Sequence, residues 1–500
     1  MEDKDFKPSL SDFKALAAEY NMIQLYAEVS ANGETPVSAF EKIDDGREAF
    51  LLESAESGDN WGRYSFLGTE PKAIIRGKGS RTQIITGGEV ESFSGDPLDV
   101  LSEYLSRYKM PDTQYEGKFP GGAVGYIGYD MVRHFEKIPD TNKQELDVPD
   151  LLFMITDCFL LFDSKDEKIR IVCNVYIEDG GDVEAAYLEA KEKITTLIDR
   201  LGKDVPTSDA RSCSEENSEE VVSNFPKEDF LSAVTRTKEY IKAGDIIQAV
   251  ISQRFSVPLV SAPIEIYKAL RVINPSPYMF FMRLDDLQLV GSSPEILVRV
   301  EDGEIDVRPI AGTRPRGKDE ARDKEMEKEL LNDPKERAEH IMLVDLGRND
   351  VGRVAETGSV EVDEFMSIER YSHVMHIVSN VHGKMRGDMD TFDALRACFP
   401  AGTLSGAPKI RAMEIIEEME PSKRGVYGGS VGWFGFNDSM DVCITIRTVL
   451  IKDGRAYVQA GAGIVADSDP ECEYEETVNK AKGVLKAIKI AGETVKTVCE

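Results

Sequence analysis

An α+β fold is what the sequence predicts, and three observations carry the prediction. Strand-like and helix-like stretches alternate along the whole chain. The 500 residues exceed what one simple core holds, which calls for two domains or one large composite fold. Hydrophobic residues make up 41%, ample for a packed interior.

In chain order, residues 11–20 have a helical pattern and Met22–Ser30 alternates as a strand. Ala49–Ser54 is a buried-strand pattern, followed by a Gly/Asn turn and a second strand over 61–68. Short strands continue to residue 86, an amphipathic helix covers 97–108, and Gly121–Tyr129 is a glycine-rich strand. Those glycines are not a phosphate loop, because no G-K-[ST] follows and no helix opens there. Leu151–Phe162 and Ile169–Ile177 form a strand pair, and Val183–Leu201 a helix. Gly202–Glu220 then loses its apolar pattern and gains Ser, Glu and Asp. The division drawn is 1–202, a linker or mobile loop over 203–222, and 223–500.

The second half is richer in motifs. Lys227–Ala243 is a helix ended by Gly244, and Asp245–Val257 a strand with Gln248 among aliphatic residues. After a helix over 263–272, Asn274-Pro275-Ser276-Pro277-Tyr278-Met279 is a proline-stiffened turn into an aromatic strand. Glu295 follows a tight turn within Leu289–Val300; a carboxylate beside an apolar strand is a general-acid candidate because burial raises its pKa, while the plainer reading is a cap. Arg308–Gly317 has the composition of a loop whose arginines suit an anion or simply solvent. In Asp333–Asp350, DPKERAEHIMLVDLGRND, Asp333 caps a helix, Pro334 opens it, and Glu336 and Glu339 share a face. Taken alone, that pair is best read as a solvated acidic surface.

Tyr371–Val381 alternates as a strand, with His376 beside Val374 and Val378; a lone histidine there is more often a core residue than a catalyst. Ala401–Lys409 is a small-residue loop opening a helix at 408–419. Val426–Phe434 is glycine-rich, and Asp441–Ile451 is a strand in which Arg447 demands an anionic partner, either a salt bridge or a substrate carboxylate. Gln459–Gly463 keeps glycines where a ligand can approach backbone. Finally Pro470–Ile490 is a helix whose Glu473 and Glu476 repeat the earlier spacing. Two helices, each offering a carboxylate pair, suit a hard divalent cation.

The net charge of −31 argues against nucleic acid and anionic lipid as partners. The seven cysteines are scattered and never form C-x-x-C, which points to a reducing compartment. With neither an apolar leader nor a membrane-length apolar run, the expected location is cytoplasmic. Only five histidines make a histidine-rich zinc site unattractive.

Eight ordered blocks, PIAGTRPRG, ERAEHIMLVDLGRND, YSHVMHIVS, AGTLSGAPKIRAMEII, YGGSVGWFG, ITIRT, QAGAGIV and EYEETVNKAKG, resemble the chorismate-utilising enzymes. The similarity is closest to the anthranilate synthase component I family, and LLESAESGDNWGRYSFLG extends it into the first half. The resemblance implies a large antiparallel β-sandwich flanked by helices, with residues 1–202 regulatory and 223–500 catalytic. It implies conversion of chorismate and ammonia to anthranilate and pyruvate, the first step of tryptophan biosynthesis. Magnesium would be held by Glu339 and Glu476 directly, with Glu336 and Glu473 acting through water. Arg447 and Tyr427, the Gly461-Ala462-Gly463 backbone and Gly312-Thr313 would hold substrate. Glu295 would protonate the departing hydroxyl, and His376 would serve the elimination.

By the same resemblance, Ser54 with Pro277, Tyr278 and Met279 would bind L-tryptophan as a feedback inhibitor. Aminodeoxychorismate synthases typically carry a lysine where Ala311 stands, and isochorismate synthases one near Gln248, so anthranilate is favoured over aminodeoxychorismate. A non-catalytic tryptophan-binding homologue is the other alternative, and the intact candidate set counts against it. No G-x-C-x-G surrounds any cysteine, so ammonia is expected from a separate glutamine amidotransferase subunit, component II, within a heterotetramer.

Overall fold

The computed structural model describes residues 5–54, 63–111, 119–204, 221–371 and 374–499; the predicted linker lies almost wholly outside them. Among the described residues two large, mainly antiparallel sheets dominate, one of 13 strands and one of 12. The architecture is α+β, as expected.

Both segments of the chain contribute to both sheets. In the first sheet Ala49–Glu53 lies beside Tyr278–Leu284, with Glu53 opposite Met279. In the second, Gly122–Ile127 lies beside Ser430–Gly435, with Ile127 opposite Ser430. Residues 1–202 and 223–500 are therefore stitched together by continuous hydrogen-bond ladders.

Packing follows the two-residue period of the strands. Phe50, Phe280 and Leu450 of the first sheet meet Tyr126 and Trp433 of the second in an apolar layer between the sheets. The outer face of the first sheet is covered by helices including Val183–Leu201, Pro263–Ile273 and Pro470–Cys499. The outer face of the second is covered by Pro97–Ser106, Pro334–Gly352 and Thr391–Cys398.

Several elements differ from the sequence reading. Leu151–Phe162 and Asp441–Ile451 each read as a single strand, yet each is two, and the tight turn read within Leu289–Val300 likewise separates two strands. The breaks fall at Asp157, at Pro294-Glu295 and over Thr445–Arg447. At every break the chain passes from one sheet to the other. One or two polar residues inside an otherwise apolar run, such as Asp157 or Thr445 and Arg447, fit a continuous strand as well as a crossing. Arg308–Gly317, read as a loop, contains the strand Ile310–Pro315. Its arginines are already neutralised: Arg308 by Glu364 and Glu369, Arg314 by Asp333, Glu329 and Glu336, Arg316 by Asp323.

The helical region after 319 splits at Asp333, which ends Glu320–Asn332 and caps Pro334–Gly352 by accepting from the Lys335 and Glu336 amides at 2.9 and 3.3 Å. The expectation of unpaired cysteines is corrected at one place. Cys158 and Cys173, 15 residues apart, face each other across neighbouring strands and are joined by a disulfide. That apposition comes from register and leaves no spacing signature. No helix among the described residues is long and apolar enough to cross a membrane.

Candidate active site

Two of the three sheet crossings carry chemistry. Leu287–Ser293 hands over to Ile296–Glu301 through Pro294-Glu295, and Met440–Ile444 to Thr448–Lys452 through Thr445–Arg447. The crossings lie side by side: the Ile444 amide donates to the Glu295 carbonyl at 2.9 Å, and the Ser292 amide to the Arg447 carbonyl at 3.2 Å. Glu295 is 8% exposed. Burial pushes its carboxyl up to about 8, against the pull of the Thr403 hydroxyl, Arg447 and Lys480. It is thus mostly protonated at neutral pH.

Arg447 takes a left-handed backbone, φ 49°, so its side chain leaves the alternation of the single strand that the sequence suggested. Burial lowers its pKa, opposed by Tyr371 and Glu295. No carboxylate among the described residues lies within ion-pair distance of its guanidinium. Arg447 is half-buried, and a guanidinium that loses solvent with no carboxylate beside it among the described residues offers a seat for an anion.

The third catalytic candidate enters from the second sheet. His376 lies on Val374–Lys384, directly opposite Thr313 on Ile310–Pro315. Its Nδ1 is 2.9 Å from the Gly312 carbonyl and 3.1 Å from Thr313 Oγ1. A carbonyl only accepts, so the ring proton sits on Nδ1 and Nε2 is left basic. Burial is the main cause that lowers the His376 pKa, aided by the Arg447 charge, and the ring is neutral at pH 7. The Tyr371 ring packs edge-on at 5.3 Å.

Gly312 is a bulge with φ +68°; an added Cβ there would lie 3.0 Å from Leu330 and 3.1 Å from the Glu336 carboxylate. This close approach brings the helix Pro334–Gly352 against the strand, and Glu336 accepts from Arg314 at 3.1 Å. Glu339, half-buried one turn on, has its carboxyl raised by burial first and then by the Glu336 and Glu476 charges. Glu473, 8% exposed, is raised by burial and by Glu476. The two acidic helices therefore do share one electrostatic neighbourhood, with Lys335 and Lys480 also acting on it. Among the described residues, however, no three His, Cys, Asp or Glu side chains converge as a ready metal shell. Glu476 instead pairs with Lys480 at 2.7 Å.

Lys480 also donates to the Gly461 carbonyl at 3.0 Å, tying that helix to the strand Arg455–Ile464. A Cβ on Gly461 would stand 2.9 Å from the buried Tyr427 hydroxyl. Ala462, fully buried, points the other way into an apolar cluster with Ile251 and Ala412, so only its backbone faces the site.

The effector candidates are brought together, though not all in the same sense. Ser54 Oγ is buried without a hydrogen-bond partner among the described residues, which suits a ligand. It follows Glu53, whose carboxylate accepts from Tyr267 at 2.9 Å and from Arg271 at 2.6 and 2.8 Å. Met279 is opposite Glu53, and Pro277 is half-buried in the preceding turn. The Tyr278 hydroxyl is already used: it donates to Asp441 at 2.9 Å and accepts from Arg299 at 3.1 Å.

Sequence reasoning missed Tyr371, Thr403, Lys335 and Lys480. All lie inside the motif blocks or one residue from them, but none has a pattern that separates it from an ordinary loop or helix residue.

A protonated buried carboxyl, a neutral histidine and a guanidinium with no carboxylate partner among the described residues define an acid–base active site for a small anionic substrate. The family described as chorismate binding enzyme matches residues 47–486, and the chain belongs to that family. It is 48% identical over 493 residues to anthranilate synthase component 1 of Acetivibrio thermocellus, covering 98% of this chain and 99% of that protein. It is 49% identical over 490 residues to the Pseudomonas putida protein of the same name, covering 97% and 99%. The crystal structure of anthranilate synthase component I from Streptococcus pneumoniae superposes with a TM-score of 0.75 at 37% identity, over 91% of this chain and 99% of that one. A menaquinone-specific isochorismate synthase from Escherichia coli, at 18% identity and a TM-score of 0.68, shares the fold over 96% of this chain and 98% of its own.

Proposed function

We propose that this chain converts chorismate and ammonia to anthranilate and pyruvate. The observation that carries the reading is the trio Glu295, His376 and Arg447, set in a chain nearly half identical to proteins named anthranilate synthase component 1 over their whole length. Arg447, with Tyr427, grips the enolpyruvyl carboxylate. Ammonia adds to the ring carbon beside the one that bears the ring carboxylate. The electron pairs of the diene shift, and the distant hydroxyl leaves as water with the proton held by Glu295. His376 Nε2 then takes the proton from the aminated carbon, the enolpyruvyl C–O bond breaks, and the ring becomes aromatic as pyruvate departs.

Magnesium is the metal this reading requires, with Glu339 and Glu476 as direct ligands and Glu336 and Glu473 acting through water. The donors fit, being hard oxygens whose carboxyls are raised first by burial and then by neighbouring carboxylate charge, both of which a divalent cation would offset. When bound, the ion supplies a fixed positive charge for the ring carboxylate. The relatives' designation as component 1 supports a second component, read here as a glutamine amidotransferase that supplies ammonia. L-tryptophan at Ser54 and Pro277–Met279 is the proposed feedback inhibitor. The test is fluorescence of anthranilate formed by purified protein from chorismate, magnesium and an ammonium salt; formation of 4-amino-4-deoxychorismate instead would overturn the reading.

A further inference from the structure

We propose that Ser292 is a positioning residue that ties the Asn274–Ser276 turn to the backbone seat of Arg447, so that the turn and the substrate-gripping guanidinium are held as one unit. Ser292 is fully buried at the end of the strand Leu287–Ser293. Its hydroxyl donates to the Asn274 carbonyl, accepts from Asn274 Nδ2 at 3.1 Å and lies 2.9 Å from the Ser276 hydroxyl. All of its side-chain partners are thus in the turn. Its amide goes the other way, to the Arg447 carbonyl at 3.2 Å.

That amide bond lies just beyond the last regular cross-strand pair, Gly291 with Thr448. Arg447 is at φ 49°, a conformation that costs a non-glycine residue roughly 1 kcal/mol or more and persists only where its surroundings impose it. Ser293 repeats the arrangement one residue on: it pairs with Tyr278, and its hydroxyl donates to the Ile444 carbonyl at 2.7 Å, beside the Glu295 crossing. A fully buried serine with three polar contacts is an expensive way to fill space, since an apolar residue would pack there without them. What the serine adds is a rigid connection between turn and crossing. Pro277 and Tyr278 continue directly from this turn, so anything seated on them bears on the same hydroxyl. The proposal rests on the reading of Arg447 as the substrate-carboxylate residue.

The experiment compares Ser292→Ala, Asn274→Ala and the double variant in steady-state turnover of chorismate, with hydrogen exchange of the Ser292 amide as a second measurement. Each single change is expected to raise KM about tenfold, the size of one net hydrogen bond, with kcat within about threefold. The double should be no worse than the more severe single, because both remove the same connection. Exchange of the Ser292 amide should quicken in Asn274→Ala, although that substitution leaves the amide untouched. Unchanged KM in the singles, effects that add in the double, or unchanged exchange each overturn the proposal. If Ser292→Ala does not fold, Asn274→Ala, at a half-buried turn, carries both measurements. If wild-type protein makes no anthranilate, the functional reading fails, and the connection is still judged by amide exchange.

Discussion

His376 Nδ1 lies 2.9 Å from the carbonyl oxygen of Gly312, and that contact fixes which nitrogen can act as a base. The proton stays on Nδ1, so Nε2 works only while the ring is neutral. Burial holds the His376 pKa below its ordinary value of about 6.5, so kcat/KM at constant free ammonia should stay flat down through that value and fall only at lower pH. His376→Ala should lose roughly 10²–10⁴-fold in rate, mainly in the elimination step. An acid limb at or above pH 7 would contradict this.

In the proposed mechanism Glu295 sets the alkaline side. Its acid form is the working one, so activity present below its pKa is lost as pH rises through about 8. Glu295→Gln should cost on the order of 10²-fold or more and remove that limb from whatever activity is left, as measured by kcat/KM between pH 6 and 10. Rate that climbs through pH 9 in the wild type at constant free ammonia would rule the residue out as the acid.

Glu339 makes a prediction about stability whose sign depends on metal. Its folded carboxyl is raised, so the ionised form is disfavoured in the fold, and stability present at low pH is lost as pH rises through that raised value. Without metal, Glu339→Gln should therefore melt higher than wild type at pH 8 and nearly the same at pH 4. With magnesium added the order should reverse, because the variant lacks a proposed ligand. Melting curves with chelator and with magnesium distinguish these cases, and an identical shift under both conditions would remove Glu339 from the ligand set.

Gly461→Ala would push a methyl to within 2.9 Å of the Tyr427 hydroxyl and of Val250. Neighbours in a filled core yield little, and overpacking of this kind typically costs about 1–3 kcal/mol. KM for chorismate should rise by more than tenfold as the tyrosine is displaced, with a lowered melting temperature. Normal KM with normal stability would show that the close approach is not needed.

Ser54→Arg should leave turnover unaffected while blunting inhibition by tryptophan, since it fills the place of a buried hydroxyl that has no partner among the described residues. An inhibition curve that superposes on the wild type would move the effector site elsewhere.

Much of the fold could be read from pattern. Met22–Ser30, Val183–Leu201 and Lys227–Ala243 have the predicted bounds, because each is a strongly periodic segment, and Gly244 at φ +85° ends the last of them. The turn before Glu295 could be read, but the crossing within Asp441–Ile451 could not, since that stretch has the same β pattern that a single strand would have. The site was legible in identity more than in arrangement. Glu336, Glu339, Glu473 and Glu476 announce two acidic helical faces, yet only the fold brings those faces together and interposes Lys480. Arg447 was recognised as needing an anion, but its left-handed backbone and its bond to Ser292 are products of topology.

The central claim is that Glu295, His376 and Arg447 together turn chorismate into an aromatic amine. Purified protein supplied with chorismate, magnesium and an ammonium salt, followed by anthranilate fluorescence and a pyruvate assay, tests it most directly. The account predicts anthranilate and pyruvate in equal amounts, abolished by Arg447→Ala. Absence of anthranilate with magnesium present and tryptophan removed, or accumulation of 4-amino-4-deoxychorismate, would contradict it.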